Sequence, residues 1–218
     1  MADPWRAVHG HRLIQAGTTL FLVALIVGLA VPVTASYIMC AVIAAPALIK
    51  LGVPDFAAHM FIFYYAVLSE VSPPTALSPF AAAAITGGDP YKTTLQSWKY
   101  TMPAFLVPFA FVLEPNGVGL LLHLPKGGSW IEVALLAAQS AAGIAILGIA
   151  LQGWLFKRST ALETVTFLLA GVMLMFPSLF AGLVAGFALP DGPWIAGLGL
   201  TFAAMAAAAQ RARNSRAA

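Results

Sequence analysis

The chain has 218 residues, of which 61% are hydrophobic and only 9% charged, and it carries a formal net charge of +3. A water-soluble domain holds roughly 45–50% apolar and about 25% charged residues, so this balance excludes an ordinary soluble core. The basic excess is small and sits in short clusters between apolar runs, a pattern that orients membrane helices and gives no ground for a nucleic-acid partner.

Apolar runs long enough to cross about 30 Å of hydrocarbon recur along the chain. They lack period-two alternation and exceed barrel strands in length, so the spanning elements are helices whose backbone bonds close within each segment. The expected fold is all-α, a polytopic integral membrane protein with a broken transmembrane helix and a re-entrant helical hairpin. Residues 1–16 are polar, with Arg6, His9, His11 and Arg12, and the run after them is too long for a cleavable signal. Cys40 stands alone, which leaves no intrachain disulfide.

The first apolar run covers residues 17–49, and as one straight helix it would be roughly 50 Å long. Pro32, in the stretch Leu29-Ala30-Val31-Pro32-Val33-Thr34, removes a donor and clashes with the preceding turn, so two half-helices are expected to meet there. Pro46 is expected to add a second kink, and Asp55 to cap the next helix. Residues 56–68 make an apolar run of about 13 residues, too short to span. A second short run covers 76–85, and Ser69-Glu70-Val71-Ser72-Pro73-Pro74-Thr75 joins the two as the tip of a hairpin that enters and leaves on one side. Residues 91–100 read as an interfacial amphipathic helix. Spans follow at 102–122, bent by Pro103 and Pro108, then at 131–156, 164–189 and 194–209, with a basic, disordered tail at 211–218. The chain thus divides into 1–16, a transport-type repeat at 17–123, C-terminal helices at 124–210 and the tail. Counting loop cations puts Lys50, Lys92, Lys99, Lys157, Arg158, Arg211, Arg213 and Arg216 on the cytoplasmic side, against Arg6, Arg12 and Lys126 on the other.

The break and the tip carry the chemistry. Non-helical backbone at membrane depth is tolerated where protein or a water-filled cavity covers it, and freed carbonyls there coordinate Na⁺ while half-helix N-termini attract anions. The candidate residues for ion and substrate binding are Ala30, Val31, Pro32 and Thr34 at the break and Ser69, Glu70, Ser72, Pro73, Pro74 and Thr75 at the tip. Thr34 and Ser72 are the hydroxyls assigned to Na⁺, with Ser36 as a further oxygen donor. The plainer reading is that the prolines only kink helices and the hydroxyls bond their own backbone. Glu70 is the acidic residue this reading puts deepest, and such a group is a functional candidate by default. His59 reads as packed or interfacial, Asp89 as a cap or loop residue, and Glu114, Glu132, Glu163 and Asp191 as solvated helix ends. No nucleophile–base pair, zinc motif or phosphate loop is present, so an enzyme is not expected.

Three stretches resemble the large permease of tripartite ATP-independent periplasmic (TRAP) transporters, in the fused form that works with TAXI-type binding proteins. They are Gly28 to Tyr37 with Ala44-Ala-Pro-Ala-Leu48 and Leu51-Gly-Val-Pro54, then Ala58 to Leu77 including Ser69-Glu-Val-Ser-Pro-Pro74, then Ala81 to Pro90 running through Lys92-Thr93 to Phe111. Gly153-Trp-Leu155, Leu162-Glu163 and Phe176-Pro177 are similar to the tail of such proteins. The resemblance implies an elevator-type, Na⁺-driven importer of a small organic acid in the bacterial inner membrane, with a periplasmic TAXI-type substrate-binding protein, the remaining permease half and a small membrane subunit as partners, surrounded by lipid. The family pattern at the break is close to Gly-Met-Gly-Leu-Pro-Thr-Thr; here Ala30, Val31 and Val33 replace its second Gly, its Leu and its first Thr. The likeness is to the C-terminal part of such permeases, whose second, inverted half completes the site. The alternatives are a non-transporting membrane scaffold or truncated remnant, and a membrane enzyme acting through Glu70 or His59.

Overall fold

The computed structural model describes residues 12, 14–16, 18, 19, 22, 23, 26, 32–74, 76–114, 116–124, 128–184 and 194–215. The described residues are helical with no strand, apart from one isolated bridge between Trp154 and Arg158. Among the described residues, three helices are long and apolar enough to cross a membrane: Val33–Lys50, Trp130–Gln152 and Trp194–Arg213. The chain is an all-α membrane protein, and it parts into two compact units between Leu113 and Glu114.

In the first unit, the described residues through Ile26 are helical, Pro32 is extended at φ −55° and ψ 150°, and helix α1 begins at Val33 and ends at Lys50. The expected interruption at Pro32 is present. Pro46 sits inside α1, which runs on through it. Gly52, at φ +90°, turns the chain, and its amide closes on the Ile49 carbonyl at 2.9 Å. Pro54, not Asp55, is the residue at the N-cap of α2 (Asp55–Leu68), because the cap must be extended and proline supplies that geometry. Asp55 becomes the first helical residue, with its carboxylate 3.7 Å from His59 Nε2.

Helices α1 and α2 pack against each other across this short turn. Small side chains allow the approach: Cys40, Ala44 and Ala45 are buried on α1, Ala57 and Ala58 on α2. After α2 comes a 3₁₀ turn, Ser69–Val71, then the tip, then α3 (Leu77–Thr86). The two arms have 14 and 10 residues, so they measure roughly 21 and 15 Å and neither spans the bilayer alone. Asp89 caps α4 (Pro90–Thr101) by accepting from the Lys92 amide at 2.9 Å, with Pro90 at the first helical position.

The expected span over 102–122 is not one helix. Pro103 lies in a 3₁₀ turn, Met102–Leu106, α5 covers only Val107–Leu113, and a separate 3₁₀ turn occupies Gly117–Leu121. Two prolines remove donors in the first half, and Gly117–Leu121 packs on the second unit's long helix instead of extending α5.

In the second unit, α6 (Trp130–Gln152) and α7 (Ala161–Met175) both start with a capping box, Ser129 with Glu132 and Thr160 with Glu163. Glycines let the two helices meet backbone to backbone: a Cβ on Gly143 would lie 3.2 Å from the Gly171 carbonyl oxygen. The expected span over 164–189 breaks at Phe176, after which α8 runs Pro177–Val184. Helix α9, Trp194–Ser215, packs on α7 and takes in Arg211 and Arg213, so these residues of the expected disordered tail are helical.

Candidate functional site

The antiparallel pair α1–α2 decides where the break and the tip lie. Tyr37, one turn into α1, hydrogen-bonds His59 Nδ1 at 3.0 Å and stacks edge-on against Phe63 at 5.8 Å. At 1.5 Å per residue, Tyr37 is about 6 Å from the start of α1 and Phe63 about 7.5 Å from the end of α2. The start of α1 and the end of α2 therefore stand at the same level, which brings Pro32, Thr34 and Ser36 to the same end of the pair as Ser69 and the tip. His59 is thus a packed, bonded residue, as its isolation on an apolar helix suggests.

The tip is closely bonded. The Ser72 amide donates to the Ser69 carbonyl at 3.1 Å, and the Ala76 amide to the Ser72 carbonyl at 3.0 Å, closing the backbone around Pro73 and Pro74. Ala76 is buried and left-handed at φ 36°, a conformation that costs an L-residue roughly 1–2 kcal/mol and so must be held by its surroundings. Ser69 and Ser72 are buried, and their hydroxyls donate to the Ala66 and Leu68 carbonyls at 2.7 and 2.9 Å. These bonds use the hydroxyl protons and leave oxygen lone pairs as acceptors or cation ligands. Thr34 and Pro74 are exposed, whereas Pro73 and Glu70 are half-buried. Glu70 has no bonding partner among the described residues. Ala30, Val31 and Thr75 lie outside the described residues.

The first arm is held by aromatic packing. Phe61, Tyr65 and Phe109 form a cluster with ring separations of 4.9 to 6.1 Å, and the Tyr65 hydroxyl donates to the Phe105 carbonyl at 2.6 Å. The second arm packs on α4, and α4 also touches the turn Ser69–Val71. On α4, Thr94 is 3% exposed and its hydroxyl has no hydrogen-bond partner, the one such buried side-chain atom among the described residues. Sequence reading passed over it, because an amphipathic helix with two lysines looks interfacial throughout.

A second polar group surrounds the break at Phe176-Pro177. Pro177 has no N–H to give, and the Ser178 amide turns to Glu114 Oε1 at 3.2 Å, joined by the Ser178 hydroxyl at 2.8 Å. The carbonyl of Leu174, which that amide would otherwise serve, accepts from Gln139 Nε2 at 2.8 Å. Helix α6 has 23 residues, so Gln139, the tenth, lies roughly 13.5 Å from its start and near the middle of the span. Glu114 is therefore not a solvated helix end. Nor is Glu163, which is buried, caps α7 and pairs with Arg213, whereas Glu132 is an exposed helix-end residue that also completes a capping box. Serine or threonine three residues before each glutamate was the sequence signal. Asp191 lies outside the described residues, which contain no group of three or more His, Cys, Asp or Glu that could hold a metal ion.

The described geometry is that of a membrane protein built around interrupted helices. Residues 15–116 match the family model described as tripartite ATP-independent periplasmic transporter, DctM component. The match covers just under half of the chain, includes the broken helix and the whole hairpin, and supports kinship with the large permeases of these transporters. No curated protein and no solved structure matches the chain.

Proposed function

We propose that the chain forms the C-terminal part of a TRAP-type permease, of the fused, TAXI-associated kind, that imports a small organic acid with Na⁺ in the bacterial inner membrane. The break at Ala30, Val31, Pro32 and Thr34 and the tip at Ser69, Glu70, Ser72, Pro73, Pro74 and Thr75 supply one half of the cation and substrate site. The other half comes from the remainder of the permease, on the same polypeptide or another. A small membrane subunit and a periplasmic TAXI-type binding protein complete the system. Thr34 and Ser72 offer hydroxyl oxygens to Na⁺, and freed carbonyls at the break add to them.

The observation that carries this reading is the common level of the break and the tip on the α1–α2 pair, within a segment that matches a transporter family. Oxygen donors without a nucleophile–base pair suit a hard cation and transport rather than bond chemistry. The test is uptake into proteoliposomes that hold the chain with its complementary permease parts, the binding protein outside. Uptake should require an inward Na⁺ gradient, and Thr34→Val or Ser72→Ala should raise the Na⁺ concentration needed. Uptake indifferent to Na⁺ and to both substitutions would overturn the reading. No uptake with any complement, and intact assembly of tip variants, would favour the scaffold alternative.

A further inference from the structure

The loop between α6 and α7 takes its shape from the end of α9. Gln210 is wholly buried; its oxygen accepts from the Phe156 amide at 2.9 Å, and its amide donates to the Lys157 carbonyl at 2.9 Å and the Ser159 hydroxyl at 3.1 Å. One turn further on, Arg213 donates to the Arg158 carbonyl at 3.4 Å while paired with Glu163. The loop also closes on itself, with the Ser159 amide on the Gly153 carbonyl at 2.9 Å. Its inner side is thereby fixed. Its outer side presents Trp154 and Phe156, 56% and 51% exposed, beside the exposed cations Lys157 and Arg158. Arg211, also exposed, follows Gln210 on α9. The Arg213 charge is answered by Glu163, whereas Lys157, Arg158 and Arg211 have no acidic partner among the described residues.

Position decides what this patch meets. Helix α6 has 23 residues and measures roughly 35 Å, close to the hydrocarbon thickness, so the loop that follows emerges at headgroup level. Indole and phenyl rings settle at that boundary, and lysine and arginine side chains reach the phosphates. We infer that the loop Gly153 to Thr160 and the end of α9 form a binding site for the headgroup of an anionic phospholipid, with Lys157, Arg158 and Arg211 on the phosphate and Trp154 and Phe156 in the glycerol and upper acyl region. A soluble acidic partner would meet the three cations but leave both rings unburied, which is why the lipid is the occupant chosen. The buried Gln210 makes the site preformed, since the loop backbone is set before any lipid arrives.

The test uses the full chain in vesicles with Trp154 as its sole tryptophan, the others changed to Phe. Fluorescence quenching by brominated phosphatidylglycerol is compared with that by brominated phosphatidylcholine. Each cation at an anionic surface favours it by about fivefold, so the anionic lipid should be preferred by at least that factor, less so at high salt. In the Lys157→Gln, Arg158→Gln, Arg211→Gln chain the preference should fall to near parity. Equal quenching by the two lipids before substitution, or an undiminished preference after it, would overturn the site. Should the single-tryptophan chain not fold, native mass spectrometry of the chain with all its tryptophans reads the same loss: phosphatidylglycerol adducts drop in the triple variant, or the inference fails.

Discussion

Gly171 sits where α6 and α7 touch, and the effect of filling that position follows from distances. A Cβ there would lie 2.6 Å from Leu147 Cγ, 2.8 Å from Leu147 Cδ2 and 3.1 Å from the Gly143 carbonyl oxygen. Carbon atoms settle about 3.5–4.0 Å apart, so the added methyl overlaps Leu147 by roughly 1 Å. Leu147 is 2% exposed, and the Gly143 carbonyl belongs to the helix backbone. The helices must therefore separate, a form of overpacking that costs about 1–3 kcal/mol. Gly197→Ala provides the control, because a Cβ there meets nothing within 4 Å and alanine gains up to about 1 kcal/mol in helix propensity. The two variants should differ by about 2 kcal/mol, or at least about 4 °C in Tm for a chain of this size. Thermal unfolding in detergent, followed by circular dichroism, reads the difference. Equal melting temperatures would refute the close glycine contact as the basis of α6–α7 packing.

Two further outcomes test the polar interior. Thr94→Val keeps the side chain's shape and removes a buried hydroxyl without a partner, so Tm should rise, by the equivalent of about 1–3 kcal/mol; a fall would mean that the hydroxyl is engaged. Gln139→Leu leaves the Leu174 carbonyl unanswered at the helix break and should lower stability by about 1–3 kcal/mol; an unchanged melt would show that this bond is not formed.

Much of the first unit was legible in the sequence because its signals are local. Pro32 interrupts a run too long for one helix, Pro73 and Pro74 separate two runs too short to span, and Asp89-Pro90 announces a helix start. The cap at α2 was misplaced by one residue, since Pro54 and Asp55 both suit a helix start and only backbone geometry separates them. The second unit was read less well. An apolar run across Phe176-Pro177 gives no sign of its break when hydropathy alone is followed, and the partners that complete the break, Gln139 and Glu114, lie 35 and 64 positions from the groups they serve. The same distance in sequence hid Gln210 and Arg213, which looked like the edge of a basic tail until α9 brought them to the loop.

The break at Phe176-Pro177 has a mechanical consequence. A proline interruption is usually a joint, because the groups it frees can exchange partners as the two segments swing. Here the amide set loose at Ser178 is held by Glu114 and the carbonyl set loose at Leu174 is held by Gln139. Swinging α8 against α7 would strip the Ser178 amide and hydroxyl from Glu114, in a medium that offers no water in exchange, while the Leu174 carbonyl, already held by Gln139, needs no new partner. The interruption is therefore a weld: it redirects the chain while the groups it frees stay engaged.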